Sequence, residues 1–100
     1  MGRPASRVGD ADVPHCSPMV RATGSFNVLV NGRPASRQFD INTPHLKPCG
    51  CPPCCCPHVA PVALGSFTVR INGRGAARLG DSIAGCTSVG MGSTNVFIGG

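Results

Sequence analysis

A three-part repeat constrains the fold of this chain more than any other feature of its sequence. One copy covers residues 24–45, and a second copy covers residues 65–86, 41 positions later. The third copy is split, with its first half at residues 92–100 and its second half at residues 2–15. A repeat divided in this way predicts a ring of three units in which the first and last segments of the chain meet.

Each copy carries the pattern of a β-hairpin. Polar and apolar residues alternate up to an Asn-Gly pair, at residues 31–32 and 72–73, and such a pair favours the tight turn between antiparallel strands. Gly99-Gly100 stands at the same place in the split copy. No segment has helical periodicity, so the sequence predicts an all-β fold. The predicted inward-facing residues are Phe26, Val28 and Val30, then Phe67, Val69 and Ile71, then Thr94, Val96 and Ile98.

The composition predicts one small domain, residues 1–100, with a weak hydrophobic core. The chain has four Phe and neither Trp nor Tyr, and Gly and Pro account for 24 of its 100 residues. Because a domain of this size buries a modest share of its surface, it often depends on a metal, disulfides or a partner for stability.

The net charge of +5 does not by itself indicate a nucleic-acid partner. Six of the eight Arg residues occupy repeated positions, and one set of three precedes an Asp by three residues: Arg7 and Asp10, Arg37 and Asp40, Arg78 and Asp81. This regular pairing favours ion pairs that bracket turns. No basic run or aromatic platform accompanies it, and we expect no nucleic-acid binding.

Neither a signal peptide nor a membrane span is recognisable in the sequence. Met1 is followed by Gly-Arg-Pro, and no apolar run approaches the roughly 20 residues of a spanning helix. We therefore expect synthesis in the cytoplasm, where thiols stay reduced and clustered Cys residues favour metal over disulfides. Export would then need a separate machine, and stable membrane insertion is not expected.

Three ligand-type residues share one position of the repeat and predict a metal site. His15, His45 and Cys86 each follow the repeated Asp by five residues, so a threefold axis would bring them together. His58 is the only other His, and by elimination it is the fourth candidate. Three imidazoles and one thiolate suit Zn²⁺, and a filled four-coordinate site is structural. The ordinary alternative is that these residues are polar turn residues and a small buried thiol.

A Cys- and Pro-rich insertion at residues 46–57 interrupts the repeat and offers a competing site. It contains five of the seven Cys residues and runs from His45 to His58, so it should lie near any metal held there. Residues 49–58 could bind a second metal or act as a redox pair. We favour a Pro-stiffened loop whose thiols are reduced in the cell and cross-link later. Cys16 has no counterpart in the repeat and receives no role.

The repeated segments resemble the Pro-Ala-Ala-Arg motif of PAAR-repeat proteins. The matching residues are 34–37, 4–7 and 75–78, and with the flanking Gly-Ser and Asn-Gly pairs the resemblance covers nearly the whole chain outside residues 46–57. It implies a small cone of three β-hairpin repeats with pseudo-threefold symmetry. It also implies a zinc ion near the apex, held by His15, His45, His58 and Cys86.

The same resemblance implies a mechanical function. Members of this family cap the trimeric β-helical spike of type VI secretion and related contractile injection machines, and they aid membrane puncture. Leu29, Arg70 and Phe97 share one outward strand position and are candidates for contact with the spike trimer, and effector cargo would be a separate molecule. The protein would then be delivered outside the cell or into a target cell.

Three departures from the family pattern accompany the resemblance. Gly75 replaces the motif Pro, Phe39 stands where the other copies have Gly, and the Cys-rich insertion is atypical, so that Cys56 is an alternative to His58 as fourth ligand.

A closed metal site activates no water, and no Asp forms an obvious pair with a His, so we expect no enzyme activity. The alternative function is a thiol-rich metal-binding or redox protein working through residues 49–58.

Overall fold

The fold is built from eight short β-strands. The computed structural model describes residues 2–50 and 55–100. Within these residues there is no helix, and hence none that could cross a membrane. The strands are β1 (Arg3–Pro4), β2 (Leu29–Val30), β3 (Arg33–Pro34), β4 (His45–Pro48), β5 (Cys55–His58), β6 (Arg70–Ile71), β7 (Arg74–Gly75) and β8 (Phe97–Ile98). The all-β class predicted from the sequence is confirmed.

The strands form four antiparallel pairs. Strands β2 and β3 pair as a hairpin, as do β6 and β7. Strand β1 pairs with β8, with Arg3 opposite Ile98, so the two halves of the split repeat copy do meet. The fourth pair, β4 with β5, comes from the insertion.

The two Asn-Gly turns have the geometry that their sequence predicts. Asn31 and Asn72 both have a φ of 54°, and the following Gly32 and Gly73 have φ of 78° and 80°. Positive φ at both central residues defines the type I′ turn, whose twist matches that of the paired strands. The hairpin prediction at these two positions is confirmed.

A small apolar cluster joins the three repeat hairpins. It consists of two sets of equivalent residues, namely Val30, Ile71 and Ile98 from the strands and Ala5, Ala35 and Ala76 from the segments after the turns. The inward prediction was right for these strand residues and wrong for the first residue of each predicted set: Phe26 and Phe67 are 87% and 68% exposed, and Thr94 is exposed. It was also wrong for Val28 and Val69, which are exposed, whereas Val96 is partly buried against the cluster. The reason is a turn: Ser25 Oγ accepts hydrogen bonds from the N–H groups of Asn27 and Val28. The alternation of outward and inward side chains therefore begins only after this turn.

Each repeated Asp is bound by two Arg residues. Asp10 accepts hydrogen bonds from Arg7 and from Arg33. The equivalent contacts are Asp40 with Arg37 and Arg74, and Asp81 with Arg78 and Arg3. The near Arg also donates its backbone N–H to the carboxylate, which fixes the turn between them. Bracketing of turns by Arg and Asp is confirmed, and the second Arg of each group ties one segment to another hairpin.

Isolated backbone bridges connect the segments beyond the Asp residues. Residues 11–12 bridge to Val20 and Val89, residues 41–42 bridge to Arg21 and Pro61, and residues 82–83 bridge to Val62 and Ser88. The whole molecule measures 40 × 23 × 23 Å along its principal axes. Chain order thus leads from the hairpins, through the Arg–Asp contacts and these bridges, to the residues at positions 15, 45 and 86.

The insertion forms a hairpin and not the loop expected from its sequence. Residues His45 to Pro48 pair with Cys55 to His58, and His45 lies opposite His58. Two disulfides cross this region, Cys16–Cys55 and Cys49–Cys56. The structure therefore shows the cross-linked state of these four residues, and Cys16, which received no role, has Cys55 as its partner. Proline content masked the strand pattern, because Pro48 and Pro57 lack the N–H that a ladder normally uses.

Candidate metal centre

Four predicted ligand residues come together at one place in the fold. The ligand atoms of His15, His45, His58 and Cys86 all lie within 4.8 Å of one another, so this group can hold a metal ion. The Sγ atom of Cys86 lies 2.7 Å from Nε2 of His15, 3.3 Å from Nε2 of His45 and 3.5 Å from Nε2 of His58. The three imidazole nitrogens therefore surround a single sulfur.

Local backbone structure explains how these side chains are positioned. His45 opens strand β4 and His58 ends strand β5, and their places opposite each other bring both rings to the base of the hairpin. Cys86 follows a turn closed by its own N–H to the carbonyl of Ile83, with Gly85 at a φ of 59°. That conformation suits Gly because it has no Cβ. The fourth candidate ligand, His58, is thus positioned by the pairing of β5 with β4.

A backbone contact fixes the orientation of the His45 ring. Nδ1 of His45 lies 2.9 Å from the carbonyl oxygen of Thr43. A carbonyl can only accept, so Nδ1 carries a proton, and Nε2 faces the cluster. Such a partner on the far nitrogen is a regular feature of metal-binding His residues. The other rings pack around it, with His15 stacked at 5.5 Å and His58 edge-on at 4.2 Å between centroids.

The surroundings of the cluster favour the uncharged forms of Cys86 and His58 when no metal is bound. Cys86 packs against an apolar group formed by Ala60, Ile83 and Val89, and this burial raises the pKa of its thiol. Burial, followed by the nearby His45, Lys47 and His15, lowers the pKa of His58. Neutral imidazoles are the form that binds metal, whereas the thiol must lose its proton on binding.

A buried polar network that sequence reasoning missed lies beside the cluster. Nη2 of Arg21 is 3.1 Å from Oδ2 of Asp12, with both side chains fully buried. The pair is close but poorly aligned, and Nε and Nη2 of Arg21 and Oδ1 of Asp12 have no hydrogen-bond partner within the described ranges. Asn42 donates to Asp12 at 3.2 Å, and its amide nitrogen lies 4.0 Å from Cys86 Sγ.

The repeat alignment contained a signal for this network. Position 21 corresponds to Val62 and Val89 in the other copies, whereas position 12 corresponds to Asn42 in one copy and Ile83 in the other. A charge at position 21, where both other copies have Val, indicates a specific partner, because an unpaired buried charge is costly. Burial raises the pKa of Asp12 and lowers the pKa of Arg21, in each case as the largest cause.

The two candidates for the fourth ligand lie in different surroundings. Cys56 is bonded to Cys49, whereas His58 lies in the group of four side chains that can hold a metal ion. Cys55 and Cys56 are neighbours on one strand, so their side chains leave on opposite faces. Cys51 and Cys54, which were part of the proposed second thiol site, lie outside the described residues.

The donor set and spacing suit a tetrahedral ion. Metal–ligand bonds of about 2.0–2.3 Å place tetrahedral nitrogen and sulfur ligands roughly 3.5 Å apart. The His45 and His58 nitrogens already lie at 3.3 and 3.5 Å from Cys86 Sγ, and the 2.7 Å separation at His15 must open by less than about 1 Å. All four positions are filled by side chains of this chain.

The predicted partner-binding residues lie apart from the ligand cluster, on the repeat hairpins. Leu29, Arg70 and Phe97 each begin a strand of a repeat hairpin, and all three are exposed. The next residue of each strand, Val30, Ile71 or Ile98, is buried in the apolar cluster. The outward orientation predicted for this set is confirmed.

No protein-family model matches the chain, and no curated protein does.

Proposed function

We propose that this protein is a PAAR-like tip, a small cone of three repeats that caps the trimeric spike of a contractile injection or type VI secretion machine. The observation that carries the proposal is the closed cycle of Arg–Asp contacts. Asp10 binds Arg33, Asp40 binds Arg74 and Asp81 binds Arg3, so each unit is tied to the next and the third returns to the first. Such a cycle supports three units around one axis, and the two equal short dimensions of 23 Å agree with it.

The ligand cluster supports a zinc ion at the narrow end. His15, His45 and Cys86 would come from the three units, and His58 would come from the insertion hairpin. Zn²⁺ would supply cross-linking alone, since four protein ligands leave no position for water or substrate. For a core as small as this one, an apparent binding energy of about 10–16 kcal/mol would dominate the stability of the fold.

The hairpin end supports a threefold docking surface. Leu29, Arg70 and Phe97 occupy one position in three units, and Phe26 and Phe67 are exposed nearby in sequence. On the proposed cone these side chains would form one apolar patch, and a contiguous exposed apolar patch is typical of a protein-interaction site. A trimeric β-helical spike protein could meet each unit with one chain and extend the pairing of its strands.

In this function the protein acts mechanically. The broad end would sit on the spike, and the metal-tied end would concentrate force on a target membrane without stable insertion. Effector cargo would travel as a separate molecule.

The alternative function, a thiol-rich metal-binding or redox protein acting through residues 49–58, stays a hypothesis, and serine replacement of the insertion Cys residues discriminates between the two. A spike tip would still bind its trimer after that replacement.

Native mass spectrometry with a trimeric β-helical spike protein from the same organism tests the proposal. We expect one copy of the chain on each trimer. Leu29→Glu combined with Phe97→Glu should weaken this binding by a hundredfold or more, because both charges would be buried at the interface. The matched control is Val13→Glu, an exposed apolar position two residues from the ligand His15, and it should bind as the wild type does. Equal binding by all three proteins would overturn the docking surface.

A further inference from the structure

A disulfide links the segments that carry two of the metal ligands. Cys16 is the neighbour of His15, and Cys55 lies on β5, the strand that ends at His58. The Cys16–Cys55 bond joins residues 39 positions apart. It therefore connects the irregular segment that holds one ligand to the hairpin strand that holds another.

The second disulfide provides a contrast within the same hairpin. Cys49 follows the last residue of β4, and Cys56 lies on β5, so this bond closes the hairpin upon itself. It spans seven positions and touches no segment outside the insertion. The two bonds thus have different mechanical consequences, although they use neighbouring residues of one strand.

Noncovalent contacts between the His15 segment and the hairpin reach strand β4. The N–H of Cys16 donates to the carbonyl of Leu46, and the N–H of Leu46 donates to Ser17 Oγ. Strand β5 is exposed over residues 55–57 and half-buried at His58. The disulfide to Cys55 is a covalent tie between β5, the strand that ends at His58, and the His15 segment.

We propose that Cys16–Cys55 is a redox-controlled latch on the metal centre. With the bond closed, His58 is held in place and the ion is retained. With the bond open, β5 loses its covalent tie to the His15 segment, and His58 leaves the ion more readily. This inference rests on the proposed metal centre and adds that its kinetic stability depends on the surrounding thiol–disulfide poise.

The chemistry of the latch needs a disulfide oxidant, such as glutathione disulfide. One latch thiolate attacks the oxidant and releases one thiol, and the second latch thiol then displaces the other half. The S–S bond between Cys16 and Cys55 forms as that of the oxidant breaks, so two electrons and two protons pass from the latch to the two product thiols. Both latch residues are exposed and accessible to this exchange.

The rate of zinc release to a chromogenic chelator in excess tests the latch. The reference protein carries Cys51→Ser and Cys54→Ser, which prevents exchange with those thiols. The latch variant adds Cys16→Ser and Cys55→Ser, and the matched control adds Cys49→Ser and Cys56→Ser. We expect the latch variant to release zinc at least about tenfold faster, as when an outer contact that orients a ligand is lost, and the control to stay within about twofold.

A second measurement keeps the test independent of how well the latch variant folds. The oxidised reference protein is reduced in place with a phosphine, and zinc release is followed together with the intact mass. Release should accelerate as the Cys16–Cys55 bond opens, and equal rates before and after its opening would overturn the latch. If the reference protein holds zinc and all the variants release it at the same rate, the latch is overturned and the metal centre is not. Absence of zinc from the reference protein would overturn the metal centre and the latch with it.

Discussion

At the scale of single residues, Phe39 adopts a backbone conformation that a bulky side chain rarely adopts. Its φ is 75°, close to the 91° and 88° of Gly9 and Gly80, which hold the same position in the other two units. The Arg–Asp turn requires this conformation, so Phe39 follows the turn and not its own preference. The sequence showed the missing Gly, but only the structure shows that the turn forms in spite of it.

Phe39→Gly should stabilise the protein. A bulky residue at positive φ costs on the order of 1–3 kcal/mol, which exceeds the chain-entropy cost of about 0.5–1 kcal/mol for a new Gly. Little burial is lost, because the ring is 62% exposed. We expect a gain of about 1 kcal/mol in the free energy of unfolding, measured by denaturant titration. Phe26→Gly is the control, since its φ is not positive, and it should be destabilising. Equal losses for both variants would contradict the strain argument.

At the scale of elements, the hairpins with local signals could be predicted and the hairpin without them could not. Asn-Gly pairs encode β2–β3 and β6–β7 within a few residues, and the repeat alignment then gives β1–β8. The β4–β5 pair lacks such a turn signal and contains Pro at two of its eight positions. Its existence depends on disulfides and on the ligand cluster, which are long-range features. The candidate ligands His15, His45 and Cys86 were predictable because the repeat aligns them at one position. Cys16 has no counterpart in the repeat, so its disulfide partner was not predictable.

The bridged segments 11–12 and 20–21 contain the buried Asp12–Arg21 pair, which a double-mutant cycle can test. Arg21→Val alone leaves the carboxylate uncompensated and should cost about 3–5 kcal/mol of unfolding free energy. Asp12→Ile alone leaves the Arg21 guanidinium without its carboxylate partner and should cost a similar amount of unfolding free energy. The double variant carries Val at position 21, as both other copies do, and Ile at position 12, as the copy with Ile83 does. It should lie within about 1 kcal/mol of the wild type or above it. Additive losses in the double variant would show that the two charges are not coupled.

At the scale of the whole molecule, one ion would govern stability and would make it depend on pH. Chelation of zinc should lower the melting temperature by tens of degrees, because the apparent binding energy is as large as the net stability of a typical domain. Circular dichroism with and without chelator measures this shift. Added zinc should restore the melting temperature, and added magnesium should not, since magnesium prefers oxygen ligands.

The sign of the pH dependence follows from the ligands. Burial raises the pKa of Cys86, so the metal-free protein keeps this thiol protonated near neutral pH and must release the proton when zinc binds. Affinity should therefore rise about tenfold for each pH unit between about pH 7 and pH 8. The lowered pKa of His58 keeps that ring neutral to more acidic pH. An affinity independent of pH would exclude the thiol as a ligand.

The pairing of β1 with β8 has a consequence for the order in which the protein folds. Val30 and Arg33 meet across a turn of two residues, whereas Arg3 must find Ile98 across almost the whole chain. Loop-closure entropy makes the second encounter about 3 kcal/mol more costly before any contact compensates it. The hairpins at residues 29–34 and 70–75 should therefore form early, and the seam between the first and last strands should close last. The same seam should open first when the molecule is pulled apart.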